Sequence, residues 1–327
     1  MRTLIVLCAG TRRINNLPIF LNRHPDGKLL AEKAIEGIYA DSYDALIFTI
    51  LKEHEEKYKS SEILNAELGK KFNIKIVILD KKTQGPAESV YLTIKKLGLD
   101  GEFAVRDSLN CIKIKDKAMG NCVVGLDLTQ YTGDVPNVRN KSFIVRNEQK
   151  QILDIIEKRF RSDIISVGLY SFKSVSDFLL AFKNLNDVNY PISKLYLSNI
   201  ISYLIGYKQR MFSCMETIFY EDWATTEAWN KLQRKYKVLV IDIDSIINKR
   251  YEDKFVDELI LRLKGLSGTN MSSVFITHAT QINKDALLVE LNANEIKCFD
   301  IISGMPYSKE YFMVNSLTDF LHSIQDI

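Results

Sequence analysis

Thr3-Leu4-Ile5-Val6-Leu7-Cys8-Ala9-Gly10-Thr11-Arg12-Arg13, then Gly27-Lys28-Leu29-Leu30-Ala31-Glu32-Lys33, are the two N-terminal stretches from which the architecture is read. Leu4 to Leu7 is an apolar run with no polar alternation, which predicts a strand buried on both faces. It opens into small residues and then into two arginines. That is a phosphate-binding layout. Glycine lets backbone N–H groups approach an anion, and a guanidinium grips phosphate oxygens in bidentate fashion. An ordinary strand-to-loop connection is the alternative reading, and the stretch alone does not decide between them.

Outward from this point, strands and helices alternate. Apolar residues at Leu30, Ala34, Ile35 and Ile38 have helical spacing, and Ala45–Ile50 is a second buried strand. The charged run from Lys52 to Lys59 reads as a solvated helix face. Ile74–Leu79 is a third strand. It ends in the turn-rich Asp80–Pro86, and a helix with Val90, Leu92 and Ile94 follows. Glu102–Asp107 is a short strand ending in a carboxylate. This alternation predicts an α/β sheet with ligands at the carboxyl ends of its strands. The Gly10 loop, the Thr83-Gln84-Gly85 loop and Asp107 then share one sheet edge. Further on, Lys141–Val145, Ile164–Tyr170 and Met211–Glu216 read as strands, and Val175–Phe182, Lys194–Ile205 and Glu227–Lys235 as helices. A new unit starts near Lys235. Its strand Lys237–Asp244 ends in Asp242 and Asp244, at i and i+2, a spacing that could bring both onto one cation. Ser273–Thr277 and Tyr311–Asn315 are later strands. The expected domains are 1–235 and 236–327.

The 327 residues carry 46% hydrophobic and 26% charged side chains, a globular balance. Lys+Arg (44) nearly equals Asp+Glu (41), for a net charge of +3, which argues against nucleic acid or an anionic membrane as the main partner. No signal peptide or membrane span is expected, because the apolar runs are only strand-sized. Cys8, Cys111, Cys122, Cys214 and Cys298 form no C-x-x-C pair, and the four histidines show no metal spacing. They predict reduced, mostly buried thiols in a cytoplasmic protein.

The order of these motifs resembles the sugar-phosphate nucleotidyltransferases (pyrophosphorylases) of the capsule and surface-polysaccharide type, over Met1 to about Arg234. The matching residues are Leu7–Arg13, Gly27–Ile35, Thr83-Gln84-Gly85, Asp107, Glu157-Lys158 followed by Gly168–Phe172, and Asp222-Trp223-Ala224-Thr225. The remainder resembles the haloacid-dehalogenase-like domain that some of these enzymes carry. The resemblance implies a Rossmann-like mixed sheet of the glycosyltransferase-A type plus a small α/β domain. It implies transfer of a nucleotidyl group from an NTP, with CTP the first guess, to a sugar phosphate or small phosphorylated alcohol, with Mg²⁺ as cofactor. Nucleotide contacts would come from Leu7, Ala9, Gly10, Thr11, Arg12, Thr83 and Gly85. Arg13, Lys28 and Lys158 would be catalytic, Glu157, Gly168 and Tyr170 would bind the acceptor, and Asp107 and Asp222 would hold the metal. The resemblance leaves a homo-oligomer open.

Each carboxylate also has a purely local reading: Asp107 as the cap of the next turn, Asp222 as the N-cap of the following helix. The sequence also departs from the family. The opening loop has one glycine fewer, and Ile19 stands where the family has a phosphate-binding lysine, so Lys28 or Arg23 would have to substitute. Leu109 stands where many relatives have a second acid. In the tail, Asp242, Asp244, Thr277 and Lys309 match the phosphatase pattern by order. Asn315-Ser316 replaces its late acidic pair and Ser245-Ile246 its Gly-Thr, so a degenerate domain is expected. The alternatives are a non-catalytic or regulatory nucleotide-binding homologue, or a phosphatase acting through the tail.

Overall fold

A computed structural model describes residues 2–14, 17–26, 28–187, 195–236, 238–242, 261, 264, 272–277, 298–303 and 312–314. The chain divides into two units. The first comprises Met1–Arg12, Pro18–Leu21 and Leu30–Ala224, and the second Arg13–Leu17, Asn22–Leu29 and Thr225–Ile327.

In chain order the strands and helices begin with β1 (Thr3–Leu7), β2 (Arg13–Ile14), β3 (Leu17–Pro18), α1 (Leu30–Ile35), β4 (Ala45–Leu51), α2 (Lys52–Tyr58) and α3 (Ser60–Leu68). Next come β5 (Ile74–Leu79), α4 (Pro86–Leu97), β6 (Phe103–Asp107), β7 (Asn110–Ile114), β8 (Cys122–Asp127), β9 (Ser142–Arg146), β10 (Ile152–Glu157) and β11 (Ile164–Phe172). Then follow α5 (Val175–Asp187), α6 (Leu197–Lys208), β12 (Ser213–Asp222), α7 (Thr226–Tyr236), β13 (Val238–Asp242), β14 (Ser272–Thr277), β15 (Cys298–Ser303) and β16 (Phe312–Val314).

The first unit holds a ten-stranded sheet in the order β5-β4-β1-β6-β11-β8-β12-β7, with β9 and β10 attached through β11. The predicted strands β1, β4, β5 and β6 run parallel, and the apolar runs of β1 and β4 are buried as expected. β11 then enters antiparallel between β6 and β8, so the sheet is mixed. β7 and β8 carry no clear signal in the sequence reading. β7 follows Asp107 after a two-residue turn and pairs antiparallel with β12, bringing Asp222 opposite Asn110. Register, rather than sequence distance, thus places the two candidate metal carboxylates next to one another.

One face of the sheet is covered by α4, α5 and α6. Its core joins Val90, Ile94, Phe103, Phe172, Phe178, Ile200 and Leu204. The Phe103 and Phe172 rings stack at 5.1 Å, with Phe178 edge-on to both. Offset and edge-to-face packing of such rings contributes about 0.5–1.5 kcal/mol per pair beyond area burial. In α4, Val90 and Ile94 face this core while Leu92 is exposed, as a 3.6-residue period requires. Cys8, Cys111, Cys122 and Cys214 are free and buried.

The second unit holds a four-stranded parallel sheet in the order β15-β14-β13-β16. β13 lies centrally, and Asp242 is its last residue, in register with Ile276. Thr277 ends β14. Asp244 and Lys309 lie outside the described residues, as do Gly27, Ser245, Ile246, Asn315 and Ser316. Thr225 caps α7, accepting a hydrogen bond from Ala228 N at 3.2 Å.

Candidate active site

The carboxyl end of β6 carries the central group. Asp107 Oδ1 accepts from Leu109 N (3.1 Å), Asn110 Nδ2 (3.0 Å) and Arg106 NH1 (3.4 Å). The turn-capping reading is therefore correct for one oxygen. Oδ2 takes no hydrogen bond among the described residues, and the side chain is 32% exposed. That oxygen lies against Gly168. A methyl group at position 168 would overlap the carboxylate, with Oδ1 at 2.9 Å and Cγ and Oδ2 closer still. Gly168 also has φ +81°, at an irregularity where β11 shifts register between Ser166 and Tyr170. Glycine is needed there twice, for the left-handed backbone and for the space.

Behind Asp107 sits Arg106, fully buried. Its guanidinium donates to the carbonyls of Ala34 (2.7 Å), Val167 (2.9 Å) and Asn110 (2.5 Å) and to Asn110 Oδ1 (2.8 Å). The planar fork satisfies these acceptors while its charge faces Asp107. Burial pushes the Asp107 carboxyl up from the usual carboxylate range, and the Arg106 charge opposes that shift. The Lys141 charge also lowers it and the Asp222 charge raises it.

Asp222 lies at the end of β12 and is 2% exposed. Its Oδ1 accepts from Ala224 N (2.7 Å). Its Oδ2 accepts from Lys141 Nζ (2.6 Å) and from the Tyr220 hydroxyl in a short contact. Lys141 Nζ also reaches the Tyr220 oxygen (2.6 Å). The N-cap reading of Asp222 is not what the structure has, because α7 starts at Thr226 and Thr225 caps it. Trp223 anchors this corner: its indole donates to Ser108 O (2.9 Å) and its N–H to Leu109 O (3.1 Å). Lys141, Tyr220, Arg106 and Trp223 were not singled out as site residues from sequence. Only Trp223, inside the Asp222–Thr225 motif, carried any signal.

Glu157 ends β10 and Lys158 follows it in a left-handed conformation. Glu157 Oε2 accepts from Ser142 Oγ (2.5 Å) and Ser198 Oγ (2.8 Å), so its carboxylate is fixed. Lys158 Nζ donates to the Tyr196 hydroxyl and lies 4.3 Å from that ring's centroid. Tyr170 accepts from Ser166 Oγ (2.9 Å), and burial pushes its phenol pKa upward. Thr83 Oγ1 pairs with Ser89 Oγ (2.7 Å), and Gln84 N donates to Glu88 (2.5 Å), folding this loop onto the start of α4. Gly85 has a packing reason of its own: a Cβ there would meet Leu195 O at 2.5 Å. Leu7 and Ala9 lie at the β1 end, with Gly10, Thr11 and Arg12 exposed beyond them, and Arg12 donates to Ala224 O (3.3 Å). Arg13 and Lys28 fall in the second unit, where Lys28 N donates to Asp26 Oδ1 (3.2 Å). Their proposed roles rest on resemblance alone.

The donor set suits a hard cation. Mg²⁺ takes one or two carboxylate oxygens and keeps several waters. Asp107 Oδ2, accessible and cradled by a glycine that leaves it room, fits that demand. Among the described residues no group of three or more His, Cys, Asp or Glu side chains gathers as a metal cluster, and none of their helices is long and apolar enough to cross a membrane.

No protein-family profile matches the chain, and no curated protein does. Solved structures do. The nucleoside-diphosphate-sugar pyrophosphorylase from Vibrio cholerae RC9 is similar with TM-score 0.58 and 19% identity, over 71% of this chain and 99% of that one. The inositol-1-phosphate CTP transferase from T. maritima matches with TM-score 0.53 and 13% identity, over 71% and 96%. The CTP:phosphocholine cytidylyltransferase from Streptococcus pneumoniae matches with TM-score 0.53 and 20% identity, over 71% and 98%. The chain therefore has the α/β fold of the nucleotidyltransferases, with a mixed sheet, as the opening motifs implied.

Proposed function

We propose that this chain is a Mg²⁺-dependent nucleotidyltransferase that joins an NTP, CTP first among them, to a sugar phosphate or other small phosphorylated alcohol. The observation that carries this reading is the convergence of Asp107 and Asp222, from β6 and β12, beside a free carboxylate oxygen on this fold. Two of the similar structures act with CTP by name, which supports the choice of nucleotide.

In the reaction an acceptor phosphate oxygen attacks the α-phosphorus of the NTP. The bond from that phosphorus to the bridging oxygen breaks, and pyrophosphate leaves. Catalysis of this kind is positioning and charge neutralisation. Backbone from Leu7 to Arg12 would line the triphosphate, and Thr83 and Gly85 the base. Lys158 would hold the acceptor's phosphate, and Glu157, fixed by Ser142 and Ser198, a hydroxyl of its sugar or polyol. Gly168 and Tyr170 would shape the acceptor side. Asp107 and Asp222 would hold Mg²⁺, which neutralises phosphate charge when bound. The product would feed capsule or surface-polysaccharide assembly, in the cytoplasm.

Residues 236–327 form, in this reading, a degenerate haloacid-dehalogenase-like domain. The parallel order with Asp242 ending the central strand supports it, since ligands gather where strand order reverses.

A pyrophosphate-release assay with four NTPs against sugar phosphates, inositol phosphate and phosphocholine tests the main reading. Turnover with one pair, abolished by Asp107→Asn, is expected. Nucleotide binding without turnover on any acceptor would favour a regulatory homologue instead.

A further inference from the structure

The two metal carboxylates are not equivalent. Asp107 keeps one oxygen free, whereas all three donors on Asp222 come from the chain itself: Ala224 N, the Tyr220 hydroxyl and Lys141 Nζ. Lys141 is 17% exposed and its ammonium is held at 2.6 Å from both the Asp222 and Tyr220 oxygens. Counting Arg106 behind Asp107, the two ion pairs bring together two carboxylates and two cations, an already neutral set. A bare divalent ion entering it would add uncompensated charge and find one usable protein oxygen. A polyphosphate brings the negative charge that such an ion needs.

We infer that Lys141 is a resident counter-cation that keeps the divalent ion out of the empty cleft, so that the metal enters only together with a nucleoside triphosphate. On its arrival Asp222 exchanges the ammonium for the metal, and Lys141 is released toward the phosphates. This rests on the nucleotidyltransferase reading for the identity of the ligand, but not for the behaviour of the bare metal. Lys141 is a positioning residue in this scheme, acting through Asp222. Tyr220 has a different part. It keeps Asp222 oriented in both states, because its hydroxyl carries no charge to be displaced.

The test is Mn²⁺ binding to the full chain without nucleotide, followed by electron paramagnetic resonance of the free ion. The wild type should bind Mn²⁺ weakly, with Kd in the millimolar range or above. Lys141→Met should bind it at least about tenfold tighter, and Asp107→Asn in that background should lose the gain. Lys141→Arg, which keeps the charge, and Tyr220→Phe, which keeps the lysine, should both remain weak. Lys141→Gln replaces the methionine variant if thermal unfolding shows that one to be misfolded. Micromolar binding by the wild type, or no gain in the neutral variants, would overturn the inference. A chain that follows the expected Mn²⁺ pattern yet releases no pyrophosphate with any NTP would sink the proposed reaction and leave the role of Lys141 intact.

Discussion

Gly168→Ala is the most informative single change. The added methyl meets two obstacles. At φ +81° an L-residue with a Cβ is less stable than glycine by about 1–2 kcal/mol. The methyl would also overlap the Asp107 carboxylate, with Oδ1 at 2.9 Å and the other atoms nearer. The carboxylate must rotate, and rotation takes Oδ1 away from Leu109 N and Asn110 Nδ2. A hydrogen bond to a charged group contributes about 1.5–3 kcal/mol. Losing one of the two, with the backbone contribution, totals about 2.5–5 kcal/mol. For a domain of this size each kcal/mol moves Tm by about 2–4 °C, so the fall should be on the order of 10 °C. Near-ultraviolet circular dichroism follows it well, because the buried Trp223 is hydrogen-bonded to Ser108 beside Asp107. Gly10→Ala is the control: a Cβ there meets nothing within 4 Å, and its Tm should stay within about 2 °C of wild type, the scatter of neutral substitutions. If Gly168→Ala unfolds with the wild type and retains metal-dependent turnover, the account of Asp107 Oδ2 as a cradled ligand is wrong.

Arg106→Lys should lower stability by more than about 3 kcal/mol in denaturant unfolding, since one ammonium cannot serve the carbonyls of Ala34, Val167 and Asn110 together with Asp107. Near-wild-type unfolding would show the fork to be dispensable. The thiols supply a pH prediction. Burial raises Cys8 and Cys122 from 9.0 to about 12 and Cys214 to about 11, so iodoacetamide at pH 8 should leave all three unlabelled in the native chain by peptide mass mapping. The folded pKa values exceed the unfolded ones, so the stability these thiols contribute is whole below pH 9.0 and declines as pH rises toward 11 and 12. Tm measured from pH 8 to 11 should fall, and a flat profile would contradict the burial argument.

Much of the fold was legible because the signals are local. The apolar runs at Leu4–Leu7 and Ala45–Ile50 read as strands buried on both faces, Ile74–Leu79 reads as a strand and lies at the sheet's edge with Lys75 exposed, and α4 follows its loop with a clear period. β7 and β8 were missed because a short hairpin return and a cysteine-led strand have no periodicity long enough to stand out. The candidate site was half legible. Asp107 is legible as a carboxylate at a strand end, whereas Asp222 and Gly168 are reached only through the resemblance, by the Asp222–Thr225 motif and the glycine-containing strand after Glu157-Lys158. Arg106 did not stand out. An arginine next to a strand-end carboxylate reads as surface, and only the carbonyls converging on it account for its burial.

The sequence by itself determined the parallel half of the sheet, the loops at its carboxyl edge and the place of Asp107 at a strand end, because strand burial and turn chemistry act over a few residues. Only the tertiary structure decided how Asp107 and Asp222 are held. Lys141 and Asp222 are 81 residues apart, and no local rule pairs them. The antiparallel registers of β9 with β11, of β11 with β6 and of β12 with β7 do, leaving one carboxylate open beside Gly168 and the other held by an ammonium. Long-range register is set by the packing of the whole sheet, which no single stretch of the chain encodes.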